Sequence, residues 1–181
     1  MFRGCISYNH SLQGWYQHFD NVTDMGFMFY NCSKFNRNLY KWDISKVTNF
    51  ESMFEGCTDY ANHRTITIDT ASVYDVTMKS MFKDCSKFNR DISNWNVINV
   101  TDMKSMFKHC NNFDQDINTW DLSSVTSMNS MFYNCSDFNQ DIRNAIASIK
   151  KGTDISGMFV GCSSLEYSIS FGDILLSNFT K

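Results

Sequence analysis

The sequence predicts an α/β solenoid of seven ~25-residue repeats, each a short helix plus one or two short strands that form parallel ladders. Three observations lead there. The seven cysteines, Cys5, Cys32, Cys57, Cys85, Cys110, Cys135 and Cys162, lie 25 to 28 residues apart. Each follows one dipeptide at a fixed distance: Met1-Phe2, Met28-Phe29, Met53-Phe54, Met81-Phe82, Met106-Phe107, Met131-Phe132 and Met158-Phe159. All eleven methionines and all four tryptophans fall on shared slots of one unit. A long fixed period marks stacked units rather than a disulfide framework.

The unit opens with V-T-x-M-x-x-M-F-x-x-C, as in 22–32, 100–110 and 125–135. Its apolar residues recur at i, i+3, i+4 and i+7, the spacing of one helix face. The threonine ahead of them suits an N-cap, and Asp24, Asp102 and Asp154 suit the positive end of a helix dipole. Next comes F-N-x-x-I/L-x-x-W-D/N-V/I/L, as in 35–44 and 88–97. That segment lacks helical spacing, and its Ile, Trp and Val content suits very short strands.

A unit this small cannot bury its apolar side alone, so stacking supplies the core. The predicted repeat core is Met28, Phe29 and Cys32; Met53, Phe54 and Cys57; Met81, Phe82 and Cys85; Met106, Phe107 and Cys110; Met131, Phe132 and Cys135; with Trp42, Trp95 and Trp120. The cysteine column reads as buried, reduced thiols. Asn36, Asn89 and Asn139, each beside its phenylalanine, read as an amide ladder that satisfies turn backbone.

Two units are irregular. The third has no tryptophan and about three extra residues after Cys57, with Thr65-Ile66-Thr67-Ile68 still alternating as a strand does. The sixth replaces the tryptophan segment with 145–152, a more helical stretch closed by a glycine C-cap at Gly152. The array is expected over 1–165, with 166–181 as a C-terminal cap over the last unit. Met1 falls inside a unit, so the expectation at that end is cover by upstream residues or by another chain.

The unit V-T-x-M-x-x-M-F-x-x-C-x-x-F-N-x-D-I-x-x-W-D-V-S, over about residues 1 to 165, resembles the BspA-like, DUF285-type repeats, relatives of the leucine-rich repeats. The resemblance implies a curved α/β solenoid and, for bacterial members, adhesion or host contact. Such repeats occur in surface proteins of mycoplasmas and Gram-positive bacteria, in protists and in large DNA viruses. The resemblance implies no catalytic residues.

Composition narrows the function classes. A hydrophobic content of 43% with 15% aromatics fills a core, and a net charge of −3 exerts no general pull on nucleic acid. No apolar stretch reaches a membrane span, and the N-terminus lacks the layout of a secretory signal. The expected localisation is therefore a cell surface for a fragment of an exported protein, and otherwise a virion or the cell interior.

Chemistry is sparse. His10, His18, His63 and His109 share no ligand spacing, and no CxxC pair occurs. Asp91, Asp116 and Asp141 recur at one slot, which suits turn capping better than a calcium column. Six N-x-S/T sequons, at Asn9, Asn21, Asn31, Asn99, Asn134 and Asn178, mostly follow from the repeat and carry no inference of glycosylation. No enzyme activity, cofactor or metal is expected.

One surface feature stands out. Lys79 and Lys83 in the fourth unit, with Lys104 and Lys108 in the fifth, occupy matching slots where the third unit has Glu51 and Glu55. These four lysines are the candidate binding surface, with a protein as the expected partner. The function expected is a non-catalytic solenoid for protein–protein interaction or adhesion, the alternative being a structural component of a virion or surface layer.

Overall fold

The computed structural model describes residues 1–12, 14–15, 19–39, 41–61 and 67–167. Among these residues the expected helix-plus-strand solenoid is not what the chain builds. Apart from a 3-10 turn at 14–15 and isolated bridges, regular secondary structure is limited to β1 (Val76–Thr77), β2 (Val100–Asp102) and α1 (Arg143–Ala147), with β1 and β2 paired in parallel. The segments expected as helices, at 25–32, 50–57, 78–85, 103–110, 128–135 and 155–162, are runs of overlapping turns.

The backbone amides explain the correction. In 103–110, Met106, Lys108 and Cys110 donate to carbonyls three residues back, at 2.9–3.2 Å. The alternate amides of Met103, Ser105, Phe107 and His109 donate instead to Ser127, Asn129, Met131 and Tyr133 of the next unit, at 2.8–2.9 Å. The Lys104 amide, left over, donates to Asp102 Oδ1 at 2.8 Å. Every amide of the run is satisfied, half of them between units.

An α-helix would spend all its interior amides on itself. Eight isolated helical residues are also marginal in water. A ribbon of turns keeps the same inward faces while bonding its neighbour. Its backbone must enter the left-handed region at every fourth residue, and it does so at Ser105 (φ 55) and His109 (φ 62), as at Ser80 and Asp84 in the unit before.

Beside the ribbon the chain makes a parallel ladder one residue wide. Asp24, Asn49, Thr77, Asp102, Ser127 and Asp154 pair in succession through single bridges and the β1–β2 register. Only between the fourth and fifth units is the contact long enough to form strands. The aspartates and asparagine in this column do not cap helices. The Oδ1 atoms of Asp24, Asn49, Asp102 and Asp154 accept the amide two residues on, at 2.7–3.0 Å.

The core lies on the inner side of the ribbons. Phe2, Phe29, Phe54, Phe82, Phe107, Phe132 and Phe159 form a column of near-parallel rings with centroids 5.4–5.8 Å apart. A second column, Tyr8, Phe35, Tyr60, Phe88, Phe113 and Phe138, stacks beside it. Within a unit the two rings meet at 4.0–4.6 Å. Such offset stacks add to the area that each ring removes from water.

The irregular units have their own geometry. Ile68 is buried and Asp69 bridges Asn96, while Thr65 and Ile66 lie outside the described residues. In the sixth unit α1 is capped at Ser148, four residues before the expected Gly152, whose φ of 97° belongs to a later turn. Of the segment expected as a cap, residues from 168 onward lie outside the described residues.

Candidate interaction surface

The predicted core residues Met28 through Cys135, with Trp42, Trp95 and Trp120, are all buried. Each thiol reaches down one unit. Cys57 donates to the Phe29 carbonyl, Cys85 to Phe54, Cys110 to Phe82 and Cys135 to Phe107, at 2.9–3.1 Å. All seven cysteines are free. Burial pushes the Cys57, Cys85, Cys110 and Cys135 thiols far above their ordinary range. They serve as packing groups and weak donors, in surroundings that disfavour the thiolate.

The asparagine slot is also internal. Asn9, Asn36, Asn89 and Asn139 each accept, through Oδ1, the backbone amide of the matching residue in the next unit: Asn36, Ala61, Asp114 and Glu166, at 3.0–3.1 Å. Asp91, Asp116 and Asp141 accept amides two residues on, from Ser93, Asn118 and Arg143. Hydrogen bonds from Ser93 and Arg143 hold the Asp91 and Asp141 carboxyls below the usual carboxylate range. His18 and His63 lie outside the described residues. His109 meets Asp84 through Nδ1 at 2.7 Å. No group of three or more His, Cys, Asp or Glu side chains among the described residues could hold a metal ion.

What faces outward is the other side of the ribbon. Its side chains stand in four columns, one residue per unit in each. The first runs Gly26, Glu51, Lys79, Lys104, Asn129, Ser156, and the third runs Tyr30, Glu55, Lys83, Lys108, Tyr133, Val160. The second and fourth columns are the left-handed positions, mostly serine in the second, where Ser52 and Ser105 are buried, and Gly, Asn, Asp or His in the fourth.

The four candidate lysines lie on this face in unlike states. Lys79 Nζ binds Glu51 at 2.8 Å, and Lys83 Nζ binds Glu55 at 2.7 Å. Those hydrogen bonds raise both lysine pKa values, and Ser52 holds the second Glu55 oxygen at 2.6 Å. The fourth unit's charge is thus answered by the third. Lys104 is exposed and makes no ion pair among the described residues, while Lys108 lies 4.7 Å from the centroid of the Tyr133 ring. The expected basic patch of two units resolves into one unit tied by ion pairs and one whose lysines make no ion pair among the described residues.

Sequence reasoning missed other cross-unit pairs. Asp59 sits between Lys87 and Lys34, at 2.6 and 3.0 Å, and their hydrogen bonds lower its pKa. Arg3 lies over Phe27 and Tyr30. The signal was available, since these residues share slots in consecutive units. At the first unit Cys5 and Ile6 are exposed beside an open concavity of about 460 Å³ that Tyr8 and His10 also line.

No helix among the described residues is long and apolar enough to cross a membrane. Neither curated proteins nor solved structures yield a match to the chain. A family model described as "Mycoplasma protein of unknown function, DUF285" matches residues 1–77 and again residues 61–171. Two overlapping matches of one model are what a tandem sequence produces, and together they span nearly the whole chain: it belongs to the DUF285 family.

Proposed function

We propose that this chain is a non-catalytic interaction module that presents the outer face of its turn ribbons to a protein partner, in adhesion or a comparable surface contact. One observation carries the reading. The inward slots repeat Met, Phe and Cys in unit after unit, whereas the outward columns change from Glu to Lys to Asn and Tyr along the same backbone. Stacking demands the first pattern and draws only a few cross-unit contacts from the second, so the outer face is where the chain has most freedom to specify a partner. The deeply buried, protonated thiols and the turn-bound aspartates leave little for catalysis.

Photo-crosslinking in the organism that makes the protein tests the reading. A crosslinking residue placed at Lys79, Lys104 or Asn129 should trap a protein adduct of defined mass. The same residue at Asp116, in an aspartate turn, should trap none. Adducts from the turn position alone, or from no position, would refute the assignment of this face.

A further inference from the structure

We infer that the third unit leaves a binding site for a carboxylate, at the slot where other units carry an asparagine or aspartate oxygen of their own. The site uses other slots than the outer columns and does not depend on the role proposed for them. Between the fourth and fifth units, and between the fifth and sixth, the arrangement is complete. Asn89 Oδ1 accepts the Asp114 amide at 3.0 Å and Gln115 Nε2 at 2.6 Å. Asp114 Oδ1 accepts the Asn139 amide at 2.9 Å and Gln140 Nε2 at 2.7 Å. Each oxygen takes two donors from the next unit, a backbone amide and the side chain of the residue that follows it. In the second case that oxygen belongs to a carboxylate.

The third unit breaks the column. Ala61 fills its slot, in register with the rest, because the Ala61 amide donates to Asn36 Oδ1 at 3.1 Å. A methyl group offers the fourth unit no acceptor. The two donors are present all the same, on the Asn89 amide and the Arg90 side chain. Neither makes a hydrogen bond or ion pair among the described residues, and the Arg90 Nε is enclosed. In the second unit, by contrast, Arg37 at the matching slot donates its Nε to the Asn9 carbonyl at 2.6 Å. Arg90 makes no such bond to Ala61. An enclosed donor without an acceptor is costly, and burial lowers the Arg90 pKa by thinning its hydration.

The missing atoms define the ligand. Beyond the Ala61 Cβ an aspartate would add one carboxylate, so a single carboxylate group replaces what is absent. A guanidinium in place of the glutamine of later units adds a positive charge, which favours a carboxylate over a neutral amide. The neighbouring acids do not serve, since Asp59 is held by Lys34 and Lys87, and Asp91 by Ser93. Nor does Asp91 exclude a carboxylate from the slot, because Asp141 stands in the same relation to the Asp114 carboxylate. The ligand is a small carboxylic acid in solution or an acidic side chain of a partner, and the two share this chemistry.

The test uses the whole ¹⁵N-labelled chain with two probes at constant ionic strength, acetate and a short aspartate peptide capped at both ends. Acetate should move the Asn89 amide and Arg90 Nε–H signals downfield, and acetamide, its neutral counterpart, should leave them in place. Saturation by the peptide at lower concentration than acetate assigns the site to a partner's side chain, and the reverse order assigns it to a free acid. Arg90→Gln should weaken acetate binding about two- to five-fold, the scale of an exposed charge pair. Ala61→Asp puts the carboxylate on the chain itself, so both signals should start downfield and no longer respond to acetate. No response of Asn89 and Arg90 to either probe would mean that water alone occupies the slot, and would overturn the site. So would an acetate response that both substitutions leave unchanged.

Discussion

The Cys110 thiol donates to the Phe82 carbonyl at 3.0 Å and is fully enclosed by apolar neighbours. In such a place the proton is held, because a thiolate would lose its hydration and gain nothing. The four innermost thiols, Cys57, Cys85, Cys110 and Cys135, share this state and Cys5 does not share their burial. Native alkylation at mildly basic pH should modify Cys5 first and leave those four untouched until the chain unfolds. Mass spectrometry of the alkylated chain reads this directly. The same thiols set a pH dependence. Their folded pKa lies above the unfolded value near 9.0, so their stabilisation is full below that pH and is lost as pH rises beyond it. Denaturant unfolding should show stability falling by about 1.4 kcal/mol per pH unit for each fully buried thiol. A flat profile between neutral pH and the high-pH limit would mean that the thiols ionise in the folded chain. Phe107 makes the complementary contribution, stacked between Phe82 and Phe132 at 5.8 and 5.7 Å and wholly buried. Phe107→Ala should cost roughly 3–5 kcal/mol in the same unfolding measurement.

At the scale of the element, the ribbon depends on residues that tolerate positive φ. Gly161 has φ +80, and a Cβ there would run into the Asn134 side chain of the unit before. Gly161→Ala should destabilise by about 1–2 kcal/mol for the backbone alone, with the steric overlap added. Adding Asn134→Gly should recover the steric part and leave the backbone part. If both variants unfold at the wild-type midpoint, the left-handed turn is not formed. This element was half legible. The i, i+3, i+4, i+7 spacing identified the inward residues, since Met103, Met106, Phe107 and Cys110 are all buried. It did not distinguish a helix from a ribbon of turns, because both bring those positions to one side. A second signal was present in the residue before each cysteine, which is Gly4, Asn31, Gly56, Asp84, His109, Asn134 or Gly161. These are the types that enter the left-handed region most readily, and none suits the interior of a helix.

For the molecule as a whole, contacts run from each unit to its neighbours, through backbone amides, thiols, ring columns and ion pairs. Stability is then shared among adjacent interfaces, and a unit flanked on both sides opens at greater cost than one flanked on one side. Hydrogen exchange should therefore be slowest at the cross-unit amides of Ser80, Phe82, Ser105 and Phe107, which donate at 2.8–2.9 Å within the stack. Uniform exchange along the chain would instead indicate a single cooperative unit. The acidic and basic outer slots matter at this scale too. Glu51 and Glu55 answer Lys79 and Lys83 across one interface, so those charges tie the third unit to the fourth.

The sequence by itself determined the register. A cysteine, a Met-Phe pair and the slots between them keep one spacing within every unit, so which residues share a column and which face inward follow from spacing alone. The tertiary structure decided how the backbone meets that demand. Each ribbon directs half its amides to the next unit, a choice that depends on a neighbour being in place and leaves no trace in the local apolar period. It also decided the candidate site. Four lysines look alike in the sequence, and only the positions of Glu51, Glu55 and Tyr133 across the unit interfaces separate the two tied by ion pairs from Lys104 and Lys108. Charge is a property of a residue, but whether that charge is free to act depends on the neighbour that the fold places beside it.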